Sequence, residues 1–186
     1  NETASMRAVA SAVEARDGEA WRVTLAPGET APVTPVEITI LTGDDVEATL
    51  TIDRSTFSRL GRCDRGLSCA HSVYTGLYGR VVVTHTRFEK GSGGHYLKTR
   101  AATVEIVDNS FDDTQGTATN YMIDLPSGSV GRIANNLFVQ GRDKENYSAI
   151  IAVAAEERKN PSRGLVVEGN RASIPEGIGR QSVFVA

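Results

Sequence analysis

Short runs of β-branched residues recur along the chain, and each run ends in the same way. A polar residue, any residue and a large apolar residue follow the run, as in "VVVTHTRF", "VEIVDNSF" and "RIANNLF". The polar members are Ser55, Thr86, Asn109, Asn136 and Asn170, separated by 31, 23, 27 and 34 residues. Repeats of this length match one supersecondary unit, so the pattern predicts a stack of similar units.

A second series of short strands keeps pace with the first and includes "HSVYTG", "GHYLKTR", "NYMIDLP", "YSAIIAVA" and "QSVFVA". Two strands and their turns that recur together in each repeat predict an all-β fold, a right-handed parallel β-helix of about six or seven coils. Each coil lies on the one below, so the same position stacks on itself. Asparagine at the bend is expected to adopt the left-handed conformation and to bond along the stack through its amide.

The N-terminal segment has a different period. Residues 3–16, "TASMRAVASAVEAR", place Met6, Val9 and Val13 on one face of an amphipathic helix. We expect this helix to cap the open hydrophobic end of the stack, as terminal units of solenoids usually do. The coils are then expected over residues 20–186, and the whole chain, 1–186, is expected to form a single domain.

Charge and hydropathy exclude some function classes. The 186 residues carry a formal net charge of −3, so a dominant basic surface for nucleic acid is not expected. No apolar run reaches the roughly 18 residues of a membrane-spanning helix. Neither a cofactor nor a bound metal is expected, and the oligomeric state stays open.

The two cysteines, Cys63 and Cys69, lie in "GRCDRGLSCAHS". Their spacing between Gly and Ser residues suits a disulfide that closes a short loop, and two unpaired thiols are the alternative. A disulfide would imply an oxidising compartment, so we expect a periplasmic or secreted protein.

The order of helix, "GEAWRVTLAPGE" and coils ending in Asn-x-Phe resembles the secreted right-handed parallel β-helix superfamily. Its members include pectate, alginate and chondroitin lyases, polygalacturonases and alginate epimerases, together with many proteins without known activity. The resemblance covers nearly the whole chain and implies an acidic polysaccharide as ligand or substrate. Fold alone does not assign the chemistry.

Stacking the second strand series predicts which side chains share a face. Leu97 falls over Val73 and under Ile123, which makes this column an inward one. Alternation then sends Tyr96, Lys98 and Arg100 outward. The predicted neighbours of Lys98 are Tyr74 below and Asp124 above, with Ile151 in the next coil, and those of His95 are His71 below and Tyr121 above.

Such a patch could cleave a uronate polymer by β-elimination. Lys98 would act as the base, Arg100 would clamp the carboxylate, and His95 or a tyrosine would donate the proton. Tyr74, Tyr96, Tyr121 and Asp124 complete the predicted substrate-binding residues. The stretch "YLKTRAATVEIVDNSF" resembles the strand that carries the catalytic lysine in chondroitinase B and related alginate lyases. That family has an arginine one coil further on, where this chain has Asp124.

Simpler interpretations stay open for each candidate. Lys98 beneath Asp124 could be an ordinary cross-strand ion pair on a non-catalytic structural or cell-surface protein, and the same face could bind carbohydrate without cleaving it. Asp108, Asp112 and Asp113 could hold calcium or could be plain acidic turn residues. Glu156 and Glu157 are most simply the solvated start of a charged loop.

Overall fold

The computed structural model describes residues 12–16, 20–24, 40–42, 44–61 and 70–186, which contain 18 strands and no helix. The first two strands, β1 (Ala12–Arg16) and β2 (Ala20–Thr24), pair antiparallel with each other. The last five residues of the predicted capping helix, 12–16, therefore form a strand. The remainder of that helix prediction, 3–11, lies outside the described residues, as do Cys63 and Cys69.

The other strands form three parallel sheets. The first sheet contains β3 (Ile40–Thr42), β6 (Val73–Thr75), β9 (Leu97–Thr99), β12 (Ile123–Leu125), β15 (Ala149–Val153) and β18 (Val183–Val185). The second contains β4 (Asp45–Asp53), β7 (Tyr78–Thr84), β10 (Thr103–Val107), β13 (Val130–Ala134) and β16 (Leu165–Glu168). The third contains β5 (Thr56–Ser58), β8 (Arg87–Glu89), β11 (Ser110–Asp112), β14 (Leu137–Val139) and β17 (Arg171–Ser173).

Each coil contributes one strand to each sheet in turn. The described residues form five such coils followed by β18, which begins the next. Every pairing within the three sheets is parallel and joins one coil to the next, as in β9 with β12 and β12 with β15. The predicted parallel β-helix is confirmed, while its right-handed sense stays a prediction.

A column of phenylalanine rings runs through the core beneath the third sheet. Phe57, Phe88, Phe111 and Phe138 stack on one another with ring centroids 4.8 to 5.0 Å apart. All four are buried. In the last coil Ala172 takes this position, and Phe184 covers Phe138 edge-on at 5.7 Å. Stacked aromatic anchors thus hold the coils in register.

An asparagine ladder follows the bend between the second and third sheets. The Nδ2 group of Asn109 donates to Oδ1 of Asn136 at 2.9 Å, and that of Asn136 donates to Oδ1 of Asn170 at 2.9 Å. The predicted amide bonding along the stack is confirmed. The left-handed conformation belongs to the preceding residue instead, namely Arg54, His85, Asp108, Asn135 and Gly169. The asparagine side chain points into the stack to form the ladder hydrogen bonds, and the residue before it adopts the left-handed conformation that makes the bend.

A buried ion pair joins the turns that lead from the third sheet back to the first. The Nζ atom of Lys144 lies 3.1 Å from Oδ2 of Asp113, with side chains 1% and 0% exposed. The remaining donors to the Asp113 carboxylate are Tyr96 Oη at 2.7 Å, Thr119 Oγ1 at 2.8 Å and the Gly141 amide at 3.2 Å. Both carboxylate oxygens are therefore in use, which is what a buried charge requires.

Candidate functional site

The outward face of the first sheet brings the predicted basic and acidic residues together. Lys98 pairs with Tyr74 in the coil below and with Asp124 in the coil above, as predicted. The next coil presents Ala152 above Asp124, so the position predicted for Ile151 is wrong. Ile151 pairs with Ile123 in the inward apolar column, where burial favours it.

Tyr96 does not belong to this face. Its predicted outward direction is wrong, because the side chain is 1% exposed and its ring lies against Phe88 at 6.5 Å. The Tyr96 hydroxyl donates to Asp113. A bend at Tyr96 precedes β9, and the strict alternation of a strand begins only at Leu97. Tyr96 and Leu97 therefore both point inward.

An aromatic column lies beside Lys98 on this face and consists of His71, His95 and Tyr121. Their order is the predicted one, with His71 below His95 and Tyr121 above it. Ring centroids are 4.7 Å apart for His71 and His95 and 5.2 Å for His95 and Tyr121. The Tyr121 amide donates to Nδ1 of His95 at 3.1 Å, so the proton of the neutral ring lies on Nε2. That nitrogen faces Oδ2 of Asp124 at 3.5 Å.

Lys98 lies between two carboxylates. Its Nζ atom is 3.2 Å from Oδ2 of Asp124 and 2.5 Å from Oε1 of Glu156. The ammonium also lies 5.7 Å from the ring centroid of Tyr74, within reach of a cation–π contact. Lys98 is 8% exposed and Asp124 is 2% exposed, whereas the Glu156 side chain is 45% exposed.

Arg100 divides its donors among four partners. Nε donates to the Tyr74 hydroxyl at 2.9 Å, and Nη1 donates to Ser127 Oγ at 2.9 Å and to Glu157 Oε1 at 3.1 Å. Nη2 donates to Oε2 of Glu156. The two oxygens of Glu156 thus bridge Arg100 and Lys98. We call His95, Lys98, Arg100, Asp124, Glu156 and Glu157 the Lys98 cluster.

The protonation states in the Lys98 cluster follow from burial and pairing. Burial disfavours the charged Lys98, but its bonds to Glu156 and Asp124 outweigh this and raise its pKa. Burial lowers the pKa of His95 to about 2 and that of His71 to about 4, so both rings are neutral near pH 7. A neutral lysine base, which β-elimination by Lys98 would need, is therefore disfavoured.

The two carboxylates paired with Lys98 differ. Burial raises the pKa of Asp124, although Lys98 opposes this. Burial acts the same way on Glu156, but the bonds from Lys98 and Arg100 prevail and lower its pKa. Among the described residues, Oδ1 of Asp124 has no hydrogen-bond partner. Asp124 is a buried and incompletely satisfied acid, whereas Glu156 is an ionised carboxylate that reaches solvent.

Glu156 and Glu157 are the members of the cluster that sequence reasoning missed. Their backbone amides donate to the Pro126 carbonyl at 3.1 and 2.9 Å, which holds the loop across the strand end. The sequence placed Ile151, and not Ala152, above Asp124, so it gave no register for the chain that follows β15. In the structure Asp124 pairs with Ala152, and the two glutamates follow at the same edge as Arg100.

The predicted calcium ligands diverge. Asp113 is engaged by Lys144 in the interior, whereas the Asp108 side chain is 46% exposed beside His85. Within the described part of the chain, no group of three or more His, Cys, Asp or Glu side chains is placed to hold a metal ion. In the same part, no helix is long and apolar enough to cross a membrane.

Comparison with protein-family models found no match, and neither the curated proteins nor the solved structures yielded one.

Proposed function

We propose that this protein binds an acidic polysaccharide through the outward face around Lys98. The observation that carries the proposal is the convergence of Lys98 and Arg100 on one carboxylate, that of Glu156. Two cations that bind a carboxylate of the chain itself are spaced to bind the carboxylate of a ligand. Bonds between ionised groups are about twice as strong as neutral ones, which suits them to recognition of an acidic sugar.

Aromatic rings beside the two cations favour a sugar over a simple anion. Tyr74 and Tyr121 flank Lys98 and His95 and are both partly exposed. Partly exposed rings can pack against the apolar face of a pyranose while their hydroxyls stay solvated. Tyr74 also accepts a bond from Arg100, so a sugar on this ring would lie next to the cationic pair.

Binding is favoured over cleavage by the state of Lys98. A general base must be unprotonated, and two adjacent carboxylates keep this lysine charged. An extracytoplasmic location, expected from the cysteine pair, is part of the same proposal.

A purely structural role is the second candidate. The observation that favours it is that Lys98 and Arg100 already pair with carboxylates of the chain, which fasten the 154–160 loop to the sheet. On this view the ion pairs stabilise the coil and bind nothing.

Affinity measurements separate the two candidates. Wild type, Lys98→Met and Arg100→Met would be titrated calorimetrically at low salt with polygalacturonate, alginate, heparan sulfate and neutral dextran. Arg132→Met is the matched control, because Arg132 is an exposed arginine on the second sheet, paired with Glu168 at 2.9 Å. We expect an acidic polymer to bind, with affinity about tenfold weaker in both cluster variants and unchanged in the control.

The result that contradicts the proposal is equally clear. Absence of binding by folded wild type to every acidic polymer would leave the structural role. Formation of unsaturated products, followed by ultraviolet absorbance, would show cleavage and overturn the assignment as a binder.

A further inference from the structure

We infer that the group recognised by the Lys98 cluster is a carboxylate, as in a uronic acid, and that it binds by replacing the Glu156 carboxylate. The inference rests on the proposed function and narrows it in two ways. It selects uronates among acidic sugars, and it makes Glu156 an internal competitor of the ligand.

The donors that an incoming anion would find are limited to two. The Nε atom of Arg100 is engaged by Tyr74, and its Nη1 atom is engaged by Ser127 and Glu157. Tyr74 lies in strand β6 and Ser127 in the turn after β12, whereas Glu157 lies in the 154–160 loop. None of these three bonds involves the Glu156 side chain. When Glu156 turns away, Nη2 of Arg100 and Nζ of Lys98 are released together.

Two released donors match the two oxygens of a carboxylate. Glu156 demonstrates the fit, since one of its oxygens meets each cation. A sulfate ester has a third terminal oxygen. The groups next to the two donors include the carboxylates of Asp124 and Glu157, which are acceptors and offer that oxygen no hydrogen bond. Repulsion between these oxygens favours a uronate over a sulfated sugar.

Exchange at this position needs only a side-chain rotation. The backbone on either side is fixed, because the amides of Glu156 and Glu157 donate to Pro126 and Asn160 Nδ2 donates to the Gly128 carbonyl at 3.0 Å. The Glu156 side chain is 45% exposed and can turn into solvent, whereas the Asp124 side chain is 3% exposed and cannot. Replacing one carboxylate by another also preserves the charge balance around the buried Lys98 and the partly buried Arg100.

The internal carboxylate should weaken ligand binding measurably. A tethered group competes at an effective concentration in the millimolar range, so a ligand must displace it before it gains the two bonds. Removing the charge of Glu156 is therefore expected to strengthen uronate binding by about tenfold.

The test compares wild type with Glu156→Gln and with Glu168→Gln, a matched control. Glu168 is an exposed glutamate that pairs with Arg132 at 2.9 Å on the second sheet, so its loss changes the net charge equally. Probes are oligogalacturonate, the same oligomer with its carboxyls reduced to alcohols, and dextran sulfate. We expect Glu156→Gln to bind oligogalacturonate about tenfold tighter than wild type and the control does, with weak binding of the other two probes.

Each other outcome overturns a definite statement. Wild-type binding that is unchanged or weakened in Glu156→Gln would overturn the exchange while leaving the proposed function in place. Equal affinity for dextran sulfate would overturn the choice of carboxylate. No binding of any probe by any of the folded proteins would overturn both the exchange and the proposed function.

Discussion

The described part of the chain contains two lysine–aspartate ion pairs, with Nζ–Oδ2 distances of 3.1 Å in Lys144–Asp113 and 3.2 Å in Lys98–Asp124. Both aspartates are buried. Asp113 receives hydrogen bonds on both oxygens, while Oδ1 of Asp124 receives none from the described residues. The Lys144 side chain is 1% exposed, whereas Lys98 forms a second ion pair with Glu156, whose side chain reaches solvent.

The difference separates an ion pair that builds the fold from one that can take part in binding. Burial lowers the pKa of Lys144 despite Asp113, because that lysine is far from water. Burial also favours a lower pKa at Lys98, but its bonds to the carboxylates of Glu156 and Asp124 raise the pKa above the ordinary value. A second, exposed carboxylate thus keeps a buried lysine charged and leaves one of its bonds open to exchange.

The largest expected effect comes from making the same substitution in both pairs. Asp113→Asn leaves a buried Lys144 without a counter-charge and should lower the free energy of unfolding by about 3–5 kcal/mol. Asp124→Asn leaves Lys98 paired with Glu156 and should lower the free energy of unfolding by about 1 kcal/mol. Urea unfolding at pH 7 measures both. Equal losses, or a larger loss for Asp124→Asn, would contradict the distinction.

Acid sensitivity is the next contrast, because the Lys98 cluster contains His95. The pKa of His95 is about 2 in the folded chain and 6.5 ordinarily. Below pH 6.5 the unfolded chain therefore binds a proton that the folded chain does not. The stability contributed by the neutral ring is present above pH 6.5 and is lost as the pH falls.

His95→Phe keeps a stacked ring and removes the titration. The Tyr121 amide still has the Asn120 side chain as an acceptor at 2.9 Å. Between pH 7 and pH 5, the free energy of unfolding of wild type should fall by about 1–2 kcal/mol more than that of the variant. Wild type and His95→Phe are compared at each pH. Asp124, whose raised pKa changes the free energy of unfolding with pH in the opposite direction, is present in both proteins and so does not contribute to their difference. Parallel pH curves would show that His95 is not held neutral.

The sequence predicts the stack and the pairing of Lys98 well, for a physical reason. Identical positions lie on one another in a β-helix, so aligning the apolar columns also aligns Tyr74, Lys98 and Asp124. Periodicity fails where the strand stops. The bend at Tyr96 breaks alternation, and the loop that carries Glu156 is fixed by bonds to Pro126 that no repeat encodes.

The smallest expected effect concerns the ligand. Asp124→Asn removes a negative charge 3.2 Å from the Lys98 ammonium and should strengthen oligogalacturonate binding about threefold. Asp108→Asn, at an exposed aspartate on the bend between the second and third sheets, is the control with the same change of charge. Titration calorimetry of both variants gives the answer. Equal gains would mean that net charge, and not the Lys98 cluster, governs binding.

A crystal structure with a short oligogalacturonate tests the central claim most directly. We predict a uronate carboxylate between Nζ of Lys98 and Nη2 of Arg100, with the Glu156 side chain turned into solvent and the Lys144–Asp113 pair unchanged. An oligomer bound elsewhere, with Glu156 still between the two cations, would contradict the account.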